Sequence, residues 1–286
     1  MDNKFAYKTD TAWCPGCGNF GLRNIVLSAL QELDTDKENL VFVSGIGQAA
    51  KMPQYLDVNY FNGLHGRALP AAGGIKAANP NTTVIVESGD GDMYGEGGNH
   101  FIHAIRRNPD ITVIVHDNMV YGLTKGQAAP TTQRGMITPI QTSGVFEEPI
   151  NPLALAISLD ATFVARGSVG EPDLTKEIIK KAIQHKGFSI VDVFQACVTF
   201  NKLNTHKWFK ENTCLIDESH NTADRAEAFR QSLRSSPWPL GVFYTNHNKP
   251  VFEDQLSPYK GGDKTALFRR ERSEGVLQEL LDQHMA

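Results

Sequence analysis

Cys14 and Cys17 stand in TAWCPGCGNFG, residues 11–21, with a proline and a glycine between them. Two thiols at this spacing suit half of a zinc knuckle, a redox disulfide, or one edge of an iron–sulfur cluster. The stretch alone does not choose. A second segment, SGDGDMYGEGGNH (88–100), brings hard oxygen donors in Asp90 and Asp92, and glycines that let backbone approach a phosphate closely. It lacks the later oxygen positions and closing glutamate of a calcium-binding EF-hand loop. By itself it reads equally well as a tight strand-to-helix turn with solvated acids. Asn118 changes that balance. It follows the next apolar run, with 26 residues between it and Gly91, enough for a helix and a strand to return to the same sheet edge. Asp90 and Asn118 then face one ion across adjacent strand ends. Mg²⁺ with two phosphates suits the place, because it takes few protein oxygens and fills its shell with phosphate and water.

Such residues need rigid supports. Leu22, Ile25, Val26, Ala29, Leu30 and Leu33 recur at helical spacing just after the cysteine pair. The runs at 40–44, 83–88, 111–117, 161–166 and 188–194 read as strands, and those at 66–79, 97–108, 152–160 and 173–187 as helices, the last ending at Gly187. Strands without polar alternation are buried on both faces, as in a parallel sheet covered by helices. Residues 1–200 are therefore expected to form one doubly wound α/β domain with helices on both faces of a mostly parallel sheet. Residues 201–286 are expected to be a less regular C-terminal extension packed on that domain or on a partner, with a helix at 274–284.

The bulk composition narrows the class. The chain has 286 residues, 41% hydrophobic and 21% charged, with 28 basic and 32 acidic side chains and a net charge of −4. No basic stripe alternates with aromatics, which disfavours nucleic acid. No apolar run approaches the roughly 20 residues that span a bilayer, and MDNKFAYKTD has no apolar signal core. A cytoplasmic location is expected, and in that reducing setting a CxxC pair more often binds metal or does redox chemistry than staples a fold.

The spacing from GDG to Asn118 resembles the thiamine-diphosphate signature, and the likeness extends well beyond it. AWCPGCGNFG, VSGIGQAAKMP, FNGLHGRALP, SGDGDMYGEGGNHFIHAIRRN, DNMVYGLTKGQAAPTT and FQACVTFNKLNTHKWFK occur in that order over residues 11 to 210. Together they resemble the β subunits of 2-oxoacid:ferredoxin oxidoreductases, of the heteromeric kind similar to 2-oxoglutarate enzymes. The resemblance implies that Asp90 and Asn118 hold Mg²⁺ by side chain and Val120 by its carbonyl. It implies that Gly91, Asp92, Gly122, Leu123 and Thr124 line the diphosphate, and that Ile46, Gly47, Gln48 and His65 lie along the cofactor. Lys51, Arg67 and Lys125 become candidates for the substrate carboxylates, each balanced against an ordinary solvated cation. Lys125, just past the diphosphate loop, favours 2-oxoglutarate over pyruvate as the substrate.

The same resemblance assigns Cys14, Cys17 and Cys197 to a [4Fe–4S] cluster. It also exposes a departure. Many relatives carry a cysteine immediately after SGIG, where this chain has Gln48. The fourth corner is left to Cys214, to a non-cysteine donor, to a three-iron cluster, or to no cluster. An amide is a poor iron ligand beside a thiolate, so Gln48 is not expected to replace the cysteine, and Cys214 is expected to be an ordinary thiol.

The implied activity is oxidative decarboxylation of a 2-oxoacid to acyl-CoA and CO₂, with coenzyme A accepting the acyl group and ferredoxin the electrons. A second α/β half is not visible in the sequence, so an α subunit is expected to supply the pyrimidine-binding half of the site. Two other readings stand beside this one: the diphosphate-binding half of a non-oxidative thiamine-dependent decarboxylase, and a zinc-stabilised subunit without catalysis.

Overall fold

The computed structural model describes residues 3–271 and 274–285. In chain order the elements are α1 (Gly18–Glu32), β1 (Leu40–Ser44), β2 (Asn59–Asn62), α2 (Ala68–Ala78), β3 (Thr83–Gly89), α3 (Gly98–Arg107), β4 (Ile111–Asp117), β5 (Val120–Tyr121) and β6 (Gln127–Ala128). They continue as α4 (Pro152–Ser158), β7 (Phe163–Ser168), α5 (Pro172–Gln184), β8 (Phe188–Phe194), α6 (His206–Asn212), β9 (Thr213–Leu215), α7 (Arg225–Ser232), β10 (Trp238–Thr245), α8 (Phe252–Gln255) and α9 (Glu274–Met285).

The apolar runs do form parallel strands. One sheet has the order β2-β1-β3-β4-β8-β7-β10-β9, and every neighbouring pair is parallel except β10 with β7. Because side chains alternate across a strand, each run serves two cores. Val43, Val86, Val113, Val115 and Ile190 pack on one face with Leu69 and Ala72 of α2 and Phe101 and Ile105 of α3. Phe42, Ile85, Ile114, Val191 and Val193 pack on the other with Leu22, Val26 and Leu30 of α1 and Ile178 and Ile179 of α5. Helices on both faces give the doubly wound arrangement expected from the lack of polar alternation.

The sheet does not stop near residue 200. β10 pairs antiparallel with β7, and β9 pairs parallel with β10, so residues 213–245 extend the main sheet. Regular structure beyond 200 is thus richer than the single helix expected there. Pro239 and Gly241 hide β10 from a sequence reading, since both residues normally argue against a strand interior. Here Gly241 has φ +145° and a register shift follows between Val242 and Tyr244, so the strand carries the irregularity those residues signal. The helix read to Gly187 also ends sooner, at Gln184. Among the described residues, no helix is long and apolar enough to cross a membrane.

For the site, the adjacent strands β1, β3, β4 and β8 matter most. They run in one direction, so their C-terminal ends share one edge of the sheet. The loops leaving that edge begin at Gly45, Asp90, Asn118 and Gln195. A crevice at this edge is where open α/β sheets bind ligands.

Candidate active site

Three of those loops and the LHGR turn enclose a cavity of about 80 Å³. Ile46, Gly47 and Gln48 come from the loop after β1, and His65 from the turn before α2. Asp90, Gly91 and Asp92 follow β3, while Asn118, Val120, Gly122, Leu123 and Thr124 follow β4. Every residue that the sequence assigned to Mg²⁺ or the diphosphate therefore lines one space. A larger cavity of about 220 Å³ is lined by Asp117, Arg166, Phe194 and Trp238 among others. The smaller one carries the glycines and oxygen donors that a metal diphosphate requires.

Glycines set its walls. A Cβ on Gly91 would sit 2.3 Å from the Tyr121 ring, and one on Gly45 would sit 2.0 Å from Asp92 Oδ2. Neither contact leaves room for a side chain. Tyr121 then donates its hydroxyl to the Gly91 carbonyl at 3.2 Å and to Glu96 Oε2 at 3.0 Å. Met119 and Lys125 both take left-handed backbone conformations, with φ +59° and +77°. Such conformations cost about 1–3 kcal/mol for residues other than glycine and concentrate at functional sites.

Asp92, which lines the cavity, also ties its walls together. Its Oδ1 accepts from the N–H groups of Ile46 at 3.1 Å and Gly66 at 2.8 Å, and its Oδ2 accepts from Ser88 Oγ at 2.6 Å. This buried carboxylate joins three loops of the cavity wall. His65 Nδ1 lies 2.7 Å from Asp92 Oδ1 and 3.4 Å from Glu96 Oε2. The ring nitrogen makes no properly directed hydrogen bond.

Asp90 is only 2% exposed, and its Oδ2 accepts from Thr131 Oγ1 at 2.5 Å. Burial pushes its carboxyl above the ordinary range, and the nearby Asp192 charge pushes the same way. Burial raises Asp117 and Asp192 as well. Arg166 meets this group of acids, with its Nε 3.3 Å from Asp192 Oδ2. Burial thus favours the protonated form of these acids, and a divalent cation at Asp90 would take the place of its proton and stabilise the carboxylate. Asn118 Oδ1 accepts from the Val120 N–H at 3.1 Å, which folds the loop so that both residues line the cavity. The donor set of Asp90, Asn118 and the Val120 carbonyl fits Mg²⁺.

Lys51, Arg67 and Lys125 are not part of the lining. Lys51 is half-buried on the turn after Gln48, while Arg67 and Lys125 are exposed beside His65 and Thr124. Each lies within two residues of a lining residue, Ala49, His65 and Thr124 respectively. Thr131, Tyr121 and Glu96 carry contacts that sequence reasoning missed. Thr131 sits within the GQAAPTT segment, but nothing in its spacing predicts a bond to Asp90.

The cysteine segments converge beside this cavity. Gly18 N–H donates to the Ala196 carbonyl at 3.2 Å, and Cys17 N–H donates to the Cys14 carbonyl at 3.0 Å. Cys197 Sγ lies 3.7 Å from where a Gly122 Cβ would stand. Burial pushes the Cys17 thiol up to about 11, opposed by the Asn19 backbone N–H and reinforced by Cys197 and Cys14 close by. Among the described residues, no group of three or more His, Cys, Asp or Glu closes around a single ion. A mononuclear zinc needs its thiolates about 2.3 Å from one ion, whereas a multi-iron cluster takes its thiolates on different irons. Cys17 with Cys14 and Cys197 close by is a donor set on which either group could draw. Cys214 lies elsewhere, on β9 at the sheet edge, with Arg234 Nη2 3.8 Å from its sulfur.

Comparison with known proteins agrees with this layout. Residues 42–193 match the model of the thiamine pyrophosphate enzyme C-terminal TPP binding domain, and residues 197–261 match the C-terminal model of the pyruvate ferredoxin oxidoreductase β subunit. The chain is 41% identical to the 2-oxoacid:ferredoxin oxidoreductase β subunit of a Sulfolobus species, covering 94% of each chain. It is 38% identical to the 2-oxoglutarate synthase subunit KorB of Methanocaldococcus jannaschii, over 85% of this chain and 90% of that one. Its structure matches the 2-oxoglutarate:ferredoxin oxidoreductase from Magnetococcus marinus, solved with 2-oxoglutarate, coenzyme A and succinyl-CoA bound. That match has TM-score 0.91 and 35% identity, over 98% of this chain and 96% of the other. With this likeness over nearly its whole length, the chain belongs to the β subunits of the 2-oxoacid:ferredoxin oxidoreductases, of the KorB-like 2-oxoglutarate type.

Proposed function

We propose that this subunit holds the diphosphate and Mg²⁺ of thiamine diphosphate in the cavity at the ends of β1, β3 and β4, within a complex that oxidises 2-oxoglutarate to succinyl-CoA and CO₂. The carrying observation is that the proposed Mg²⁺ and diphosphate residues from separate loops line one space. When bound, thiamine diphosphate supplies the electron sink that lets a 2-oxoacid lose CO₂.

Each group in the chain then has a defined task. Asp90, Asn118 and the Val120 carbonyl ligate Mg²⁺, and the glycines at 91 and 122 admit the diphosphate without steric conflict. Asp92 fixes the wall beside the diphosphate, with His65 next to it. Lys51, Arg67 and Lys125 pair with the carboxylates of the oxoacid. Leu123, exposed at the mouth, excludes water once the pyrimidine-binding half on the α subunit closes over it. Cys14, Cys17 and Cys197 hold an iron–sulfur cluster, which supplies one-electron transfer to ferredoxin. Coenzyme A accepts the acyl group. The proposed setting is the cytoplasm, where ferredoxin and coenzyme A are both soluble.

The test uses the purified α–β complex with 2-oxoglutarate, coenzyme A and ferredoxin under anaerobic conditions. Ferredoxin reduction is expected to depend on thiamine diphosphate and on both subunits. Decarboxylation by the isolated chain contradicts the shared site. Decarboxylation by the complex without ferredoxin reduction favours the non-oxidative reading instead.

A further inference from the structure

Four buried side chains lie behind the cysteine segments and do not line the cofactor cavity. Glu87 on β3, His116 on β4, Asn19 on α1 and Gln195 just after β8 are each at most 1% exposed. Asn19 Oδ1 accepts from Gln195 Nε2 at 2.7 Å and lies 2.9 Å from His116 Nδ1. An acceptor at that distance calls for the hydrogen on Nδ1. On the other side of the ring, His116 Nε2 lies 2.5 Å from Glu87 Oε2. Polar groups in a dry core are costly unless they are paired, and the bonds among these four hold them together, with Glu87 Oε1 and Gln195 Oε1 left without a partner.

That arrangement ends at the cysteines. Asn19 comes two residues after Cys17, and Gln195 two before Cys197. A Cβ on Gly18 would lie 2.6 Å from the Gln195 Cβ, so the two segments meet with no space between them. The side chain of Asn19 is fixed in the core at the first turn of α1, directly after the loop that carries Cys17.

We infer that the His116–Asn19–Gln195 chain is a positioning device that holds the CPGC loop in register with the segment that carries Cys197. Its redox consequence rests on the iron–sulfur reading proposed above; the thiol geometry does not. Cluster potentials are set in part by solvent exposure and by hydrogen bonds to the sulfurs, and both depend on how the ligand loop is held. Loosening the loop therefore shifts the reduction potential.

The experiment compares the assembled complex with its Gln195→Met variant, which keeps the side-chain volume and removes the donor. After anaerobic purification, a redox titration followed by electron paramagnetic resonance is expected to show a shifted midpoint potential. At a fixed solution potential the reduced-to-oxidised ratio changes about tenfold, equivalent to about 59 mV for one electron. In iron-depleted complex, Cys17 is expected to alkylate several-fold faster than in the parent, with Cys214 unchanged as an internal control. A Cys214 rate that also rises marks general unfolding, and Asn19→Ser then carries the same two measurements. An unchanged midpoint potential overturns the inference. If the parent holds no iron, the cluster reading fails by itself, and an unchanged Cys17 rate overturns the positioning claim separately.

Discussion

Trp13 donates its indole N–H to the Gln48 carbonyl at 2.8 Å, which ties the neighbour of Cys14 to the wall of the cofactor cavity. The indole also packs edge-on against Tyr55 and Phe20, with ring centroids 4.8 and 5.2 Å away. The cysteine loop and the SGIGQ loop are thus one packed unit. Gln48 is the residue that stands where many relatives carry a cysteine, and its Oε1 is buried without a partner. A buried unpaired acceptor costs about 1–3 kcal/mol, so an occupant that donates to it, such as the bound cofactor, recovers that energy.

The floor of the cavity gives the first prediction. Asp90→Ala removes a metal ligand and is expected to abolish Mg²⁺-dependent thiamine diphosphate binding while the fold persists. Thr131→Val leaves Asp90 Oδ2 without its donor. A hydrogen bond to a charged group is worth about 1.5–3 kcal/mol, so affinity should fall by at least about tenfold. Calorimetric titration with thiamine diphosphate and Mg²⁺ checks both, and unchanged affinity in Asp90→Ala contradicts the assignment.

Lys125 gives the second. Its left-handed backbone and its place beside Thr124 suit a cation aimed at the distal carboxylate of 2-oxoglutarate. Lys125→Gly removes the charge in a residue that takes this conformation without strain. Loss of a charge-assisted bond of about 1.5–3 kcal/mol predicts about a 10- to 150-fold fall in kcat/KM for 2-oxoglutarate. Pyruvate, which lacks that carboxylate, should lose far less. Equal losses for the two substrates argue against a selective role.

A pH effect follows from a residue far from the site. His185 is buried, with the rings of Phe163 and His247 at 5.5 and 5.1 Å. Burial, with the His247 charge in support, lowers its pKa from 6.5 to about 4. The folded chain therefore binds fewer protons than the unfolded chain in that window, so stability falls as pH drops from about 6.5 towards 4. His185→Gln should flatten that part of the curve. Melting temperatures of parent and variant at several pH values decide it, and parallel curves contradict it.

Much of this was legible in the sequence because burial on both faces leaves a plain signature. LVFVS, TVIVES, ITVIVHD and FSIVDVF have too little polar alternation to be anything but covered strands, and the loops after them fall on one edge by topology. Contacts between distant segments were not legible. The bonds from Asp92 to Ile46 and Gly66 depend on how three loops pack, and a carboxylate in a GDGD motif reads as a ligand. The Thr131–Asp90 bond spans 41 residues and follows no periodicity. β10 was missed because its proline and glycine resemble a loop.

The departure at Gln48 yields the fourth prediction. Cys214, on the edge strand β9, is separated from β8 by β7 and β10. Iron and sulfide content of the anaerobically purified complex should survive Cys214→Ser and be lost in Cys14→Ser. Loss of iron in Cys214→Ser would place that cysteine at the fourth corner instead.

The most direct test of the whole account is electron paramagnetic resonance of the assembled complex, frozen shortly after mixing with 2-oxoglutarate in the absence of ferredoxin. A reduced iron–sulfur signal is predicted to appear only when thiamine diphosphate and Mg²⁺ are present, and to be missing in both Asp90→Ala and Cys17→Ser. An iron-free complex that still converts 2-oxoglutarate, or a substrate-induced signal that persists in Asp90→Ala, would contradict it.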